Sequence, residues 1–141
     1  MRSIILFLFF LSCSHHFFAQ DEFTLTVKVS GMESTNGKVF FALFDRKEDF
    51  LKNDKIIKTA KVKPENGIAT AQLTNVKRGE YAVSVFYDKN NNGKMDTNFL
   101  GIPKEPYGFS NNFKGFMGPP KFENSKFIVS GDTVISIRIN E

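Results

Sequence analysis

Residues 79–88 read GEYAVSVFYD, with Tyr81, Val83, Val85 and Tyr87 at every second position. A period of two marks a strand with one buried face, whereas the apolar face of a helix recurs at three and four residues. The spacing Gly79-x-Tyr81 at the entry is that of a tyrosine corner, in which a tight turn feeds a strand and the ring hydroxyl bonds back to the backbone. Phe23, Leu25, Val27 and Val29 repeat the alternation, with Thr24, Thr26, Lys28 and Ser30 on the other face.

The remaining segments are short and separated by turn residues. KVFFALFD, at 38–45, is apolar without interruption and predicts a strand covered on both faces. Asp45 then stands where it would cap a short helical turn, with Glu48 at the capping-box spacing. Two strands, 56–62 and 68–73, flank PENG at 64–67, a hairpin turn in which proline presets φ and glycine tolerates a positive one. Residues 127–129, the SGD at 130–132 and residues 133–139 read as a last hairpin. About seven short strands without a long helix predict an all-β chain, an antiparallel Greek-key β-sandwich of the immunoglobulin or transthyretin type.

Residues 1–19 are read separately, because Arg2 followed by the apolar run 4–11 has the charge and length of a secretory signal peptide. That run is too short to span a bilayer as a helix. Cleavage after Ala19 would leave Gln20 first; lipidation at Cys13 is the competing outcome, and plain cleavage is the expectation. Residues 20–141 then form a single domain, exported to the periplasm, the outer-membrane surface or the medium. They hold no histidine or cysteine, and tryptophan is absent throughout. Ser-His-Asp and Cys-His catalysis, imidazole or thiolate metal sites and disulfides are thereby excluded from that stretch. With Arg2 set aside, 18 basic and 15 acidic residues are interspersed, which makes no patch for nucleic acid. No further apolar run has the length of a transmembrane helix.

One long connection interrupts the strands. Residues 88–124 carry five glycines, four prolines and six aromatics, too aromatic for a solvated linker, so a folded excursion packed on the strands is expected. It opens with DKNNNGKMD at 88–96. Asp88, Asn90, Asn92, the Lys94 carbonyl and Asp96 fill positions 1, 3, 5, 7 and 9 of a calcium loop, with Gly93 at the sixth. Position 12, which calls for glutamate, is Phe99, and Glu105 or Glu123 could supply a remote ligand. An asparagine-rich turn, in which Asx side chains satisfy backbone amides, accounts for the same residues without a metal.

Two other chemistries fit the excursion. Asp88, Asp96, Glu105 and Glu123 could supply the two carboxyl groups that glycoside hydrolysis needs. Tyr107, Phe109, Phe113 and Phe116 could stack on a glycan or accept an extended peptide, or form a satellite core beneath the loop.

The run DKNNNGKMDTNFLGIPKEPYGFSNN, followed by GPPKFENSKF and preceded by GKVFFALFD and RGEYAVSVF, resembles the bacterial domain-of-unknown-function family DUF2141 over nearly all of residues 20–141. The resemblance implies an exported bacterial protein with no established activity, and many members carry histidine where this chain has Tyr87. The strand order is also similar to transthyretin-like and carboxypeptidase-regulatory modules, which bears on fold alone. The expected role is a non-catalytic binding or structural module of the envelope, stiffened by calcium if the loop takes it. The alternative is a carboxylate hydrolase acting on an envelope or extracellular glycan.

Overall fold

A computed structural model describes residues 21–34, 36–115 and 118–139; the leader with Cys13, Ala19 and Gln20, and Phe116 in the excursion, lie outside them. Eight strands follow one another: β1 (Glu22–Ser30), β2 (Lys38–Phe44), β3 (Lys58–Val62), β4 (Ile68–Lys77), β5 (Gly79–Asp88), β6 (Tyr107–Phe109), β7 (Phe127–Val129) and β8 (Thr133–Arg138). Helix is confined to three 3-10 turns and the single turn α1 (Phe122–Ser125) among the described residues. The chain is all-β. One sheet has the order β4-β1-β8 and the other β3-β2-β5-β6, with β7 also paired to β5.

Alternation builds the core. Leu25, Val27 and Val29 of β1, Val39, Phe41 and Leu43 of β2, and Tyr81, Val83, Val85 and Tyr87 of β5 are buried in one cluster with β4 and β8 side chains. Each aliphatic side chain so removed from water contributes about 1.5–3 kcal/mol. On β4 the buried set runs Ala69, Ala71, Leu73 and then Val76, a change of parity. The register with β1 shifts between Phe23 and Leu25, and Asn75 has φ 56°, so a bulge turns Val76 inward. Tyr87 is wholly buried and donates its hydroxyl to the Ser34 carbonyl at 2.9 Å. The position where many family members are expected to carry histidine is thus a core position here.

The turn at 64–67 forms as expected, through paired Glu65 and Ile68 backbone bonds of 2.8 and 3.0 Å with Asn66 and Gly67 at φ 50° and 76°. It does not close the expected hairpin, because β3 pairs with β2 and β4 with β1, so the chain changes sheet at this turn. Other expectations need correction. The expected seven antiparallel strands are eight, because the three-residue β6 lies inside the excursion, and β8 runs parallel to β1. The SGD segment does not join a hairpin: β7 pairs with β5 and β8 with β1, so the chain changes sheet there. Residues 47–49 do form a helical turn, but no side chain caps it and Arg46, not Asp45, precedes it.

Candidate functional site

Asp88 ends β5 and begins the excursion. Its carboxylate, 1% exposed, accepts the backbone N–H groups of Asn92 (3.1 Å) and Gly93 (2.8 Å), which curls the chain back on itself. That curl needs left-handed backbone at Asn91 (φ 58°) and Gly93 (φ 83°), residue types that enter this region most readily. Asn90 Oδ1 accepts from Asn92 N and Asn92 Oδ1 from Lys94 N, at 3.1 and 3.0 Å, each an Asx turn. The amide nitrogens of Asn90 and Asn92 converge on Asp96, at 2.6 and 2.8 Å. Those bonds, Asn92's first and then Asn90's, hold the Asp96 carboxyl below the usual carboxylate range against an opposing desolvation, and Lys94 and Lys104 add to the lowering to a lesser degree.

Glu105 reaches back as the sequence suggested, but to the backbone. Only 7% exposed, it accepts from Lys89 N (3.0 Å) and Asp96 N (3.1 Å) and so ties both arms of the loop together. Glu123 is elsewhere, on α1, where it meets Lys126 at 3.1 Å. Among the described residues no three of His, Cys, Asp and Glu are grouped closely enough to hold a metal between them. Beyond Asp96 a narrow ladder closes through a Thr97–Pro103 bridge, and Asn98 Oδ1 accepts from Leu100 N and Ile102 N. Phe99, at position 12 of the loop pattern, points into solvent at 94% exposure.

The second feature lies on the outer face of the sheet along β3-β2-β5-β6, where register assembles side chains from distant parts of the chain. Lys61 of β3, Phe40 of β2, Phe86 of β5 and Tyr107 of β6 are successive cross-strand neighbours and form one transverse row. Phe40 and Phe86 stack at 4.7 Å and 18°, and the Lys61 ammonium lies 4.5 Å over the Phe40 ring. Two residues further along each strand the row is Thr59, Ala42, Ser84 and Phe109. Three of these four are small. Beyond them Phe44 packs edge-on against Phe50 at 5.4 Å, and Phe50 meets Phe109 and Phe122 at 6.3 and 5.8 Å. The small row is therefore the floor of a trough between two aromatic walls, in a groove of about 1010 Å³.

Of the aromatics the sequence singled out, Tyr107 is 44% exposed on the first wall, whereas Phe109 is 7% exposed and joins the second. Phe113 is exposed, and Phe116 lies outside the described residues. Phe40, Phe86, Lys61, Ala42 and Ser84 escaped the sequence reading. Parity along β2, β3 and β5 puts each on the outer face, but only the register shows that they meet.

A family model described as an uncharacterized protein conserved in bacteria (DUF2141) matches residues 27–137. No curated protein matches the chain. Two solved structures of a pilus-presented adhesin, Spy0125 (Cpa), are similar at 13% and 14% identity with TM-scores of 0.28 and 0.23. They cover 86% and 85% of this chain, which spans 27% of the length of each. No helix among the described residues is long and apolar enough to cross a membrane.

Proposed function

The chain belongs to the DUF2141 family, and we propose that it is a non-catalytic binding module of the cell envelope, a β-sandwich of the transthyretin or immunoglobulin type that presents the transverse trough to a ligand. The observation that carries this reading is the pair of rows across β3, β2, β5 and β6, in which three small residues are left between ring walls. The groove lining contains no Asp or Glu among the described residues, which supports binding over carboxylate hydrolysis. Export rests on Arg2 and the apolar run 4–11; intact mass of the exported protein should give a chain starting at Gln20, and a diacylated species starting at Cys13 would reverse the processing route.

The test of binding is a thermal-shift panel of envelope glycans, peptides and amphiphiles against wild type and Ala42→Phe, whose ring would fill the floor. A compound that raises the melting temperature of wild type alone supports the reading. A panel that shifts neither protein removes it.

The loop at 88–96 is proposed as a weak calcium site at the rim. The Asn90 and Asn92 side chains already meet Asp96, Asp88 holds the same turn through Asn92 N and Gly93 N, and each carboxylate oxygen keeps a lone pair beyond the N–H group it accepts. To present oxygens instead of nitrogens, the Asn90 and Asn92 amides must turn over and give up their Asx-turn bonds. That cost places the affinity with extracellular modules, about 0.1–1 mM.

A further inference from the structure

The trough has direction. At the β6 end its floor runs into Phe109, which packs edge-on against Tyr107 at 5.7 Å, so that end is closed. At the β3 end it opens beside exposed Thr59 and Lys61. Every charged residue of the lining is basic, Lys61 and Lys94. Leu51, also in the lining, holds φ 66°, a left-handed conformation that a bulky side chain adopts only when its surroundings impose it.

Resting on the reading of the chain as a binding module, we infer that the trough takes an anionic amphiphile, a straight-chain fatty carboxylate, with its chain across β2 and β5 and its carboxylate at Lys61. Three observations select this class. The floor offers hydroxyls only at Thr59 and Ser84, with Asn53 and Tyr107 the other uncharged hydrogen-bonding side chains of the lining, and Phe40 and Phe86 turn a face to each other while Lys61 covers the second face of Phe40, so a sugar finds few polar partners and little open ring surface there. The trough crosses the strands, where backbone groups are spent on the sheet, so an extended peptide could not add as a further strand. An apolar chain needs only a dry slot. Two inter-strand steps of about 4.8 Å, from Thr59 to Ser84, give roughly 10 Å of it before Phe109 closes the slot, and a positive charge waits at the open end.

Calorimetry of the protein with sodium dodecanoate, dodecyltrimethylammonium and dodecyl maltoside, each below micelle formation, tests the inference. Dodecanoate is expected to bind at one site and to weaken with salt, and Lys61→Gln to weaken it about five-fold. Ala42→Phe, checked by an unchanged melting curve, should abolish binding; Ser84→Leu serves if that variant does not fold. Equal binding of all three amphiphiles, blocked by Ala42→Phe, would overturn the anionic class and leave the binding-module reading in place. Binding of none of them overturns the inference, as would a dimer that Ala42→Phe dissolves, since a second copy would then be the occupant.

Discussion

The hydroxyl of Tyr81 donates to the carbonyl of Lys77, four residues upstream, at 2.9 Å. It fastens the start of β5 to the end of β4 across the turn at Gly79, the tie that the Gly-x-Tyr spacing led one to expect. Tyr81→Phe keeps the buried ring and removes only this bond, so it should lower stability by about 1 kcal/mol. Urea denaturation measures it: the midpoint should fall with an unchanged m-value, and an unchanged midpoint would remove the tie from the account of this turn.

The same tyrosine sets a pH dependence. Burial, and secondarily the Asp45 carboxylate, raise its pKa above the ordinary value of 10.0. Because the folded value is raised, the folded state keeps a proton that the unfolded state releases, and stability falls as pH rises from about 10 through the folded pKa. Tyr81→Phe should flatten that decline. Parallel stability curves for the two proteins between pH 9 and 11 would contradict it.

Glu105 gives a local prediction. Glu105→Gln keeps one acceptor and sets an amide N–H₂ against the other backbone donor, so one of the bonds from Lys89 N and Asp96 N is lost. The cost should be about 1.5–3 kcal/mol, the range for hydrogen bonds to charged groups. Amide exchange at residues 88–105 should quicken while β1 and β2 amides keep their protection. Unchanged exchange in the loop would show that Glu105 does not hold it.

Two glycines separate backbone strain from steric conflict. A Cβ at Gly93 would meet nothing within 4 Å, so Gly93→Ala should cost only the left-handed conformation, about 1 kcal/mol. A Cβ at Gly37 would stand 2.3 Å from the Asp88 carbonyl oxygen and 2.8 Å from the Tyr87 ring. Gly37→Ala must therefore push β2 from β5, at roughly 2–4 kcal/mol. Equal melting temperatures for the two variants would overturn this ranking.

What the sequence disclosed follows range. β1 and β5 were legible because period two is a property of neighbours in sequence, β2 because its apolar run marks a strand, though its outer face is half-buried at Phe40 and Ala42 and not covered as expected, and the 88–96 loop because its hydrogen bonds span two to five residues. β6 was hidden because three residues, one of them Gly108, carry too little pattern. The β7–β8 segment misled because SGD is a sound local turn, while strand pairing is decided by partners at β5 and β1. The trough was invisible for a related reason. Phe40 and Phe86 become a wall, and Ala42 and Ser84 a floor, only once β2 and β5 pair in this register.

Calcium provides the last prediction, and the hydrogen bonds determine which variant can test it. Asp88 is a poor choice, because its buried carboxylate accepts two backbone N–H groups and Asp88→Asn would loosen the turn even without metal. The Asp96 carboxylate accepts from the side chains of Asn90 and Asn92 rather than from backbone N–H groups among the described residues. Asp96→Asn should therefore leave the metal-free melting curve almost unchanged while removing one of the two carboxylates available to the ion. Calcium at ten times its dissociation constant should stabilise wild type by about 1.4 kcal/mol, since it binds only the folded state. Magnesium should do less, because it dehydrates reluctantly and demands a tighter octahedron. Calorimetric scans in chelator and in calcium up to several millimolar distinguish the cases: a shift in wild type that Asp96→Asn abolishes assigns the ion to this loop, and coincident wild-type curves leave the loop closed by its own amides.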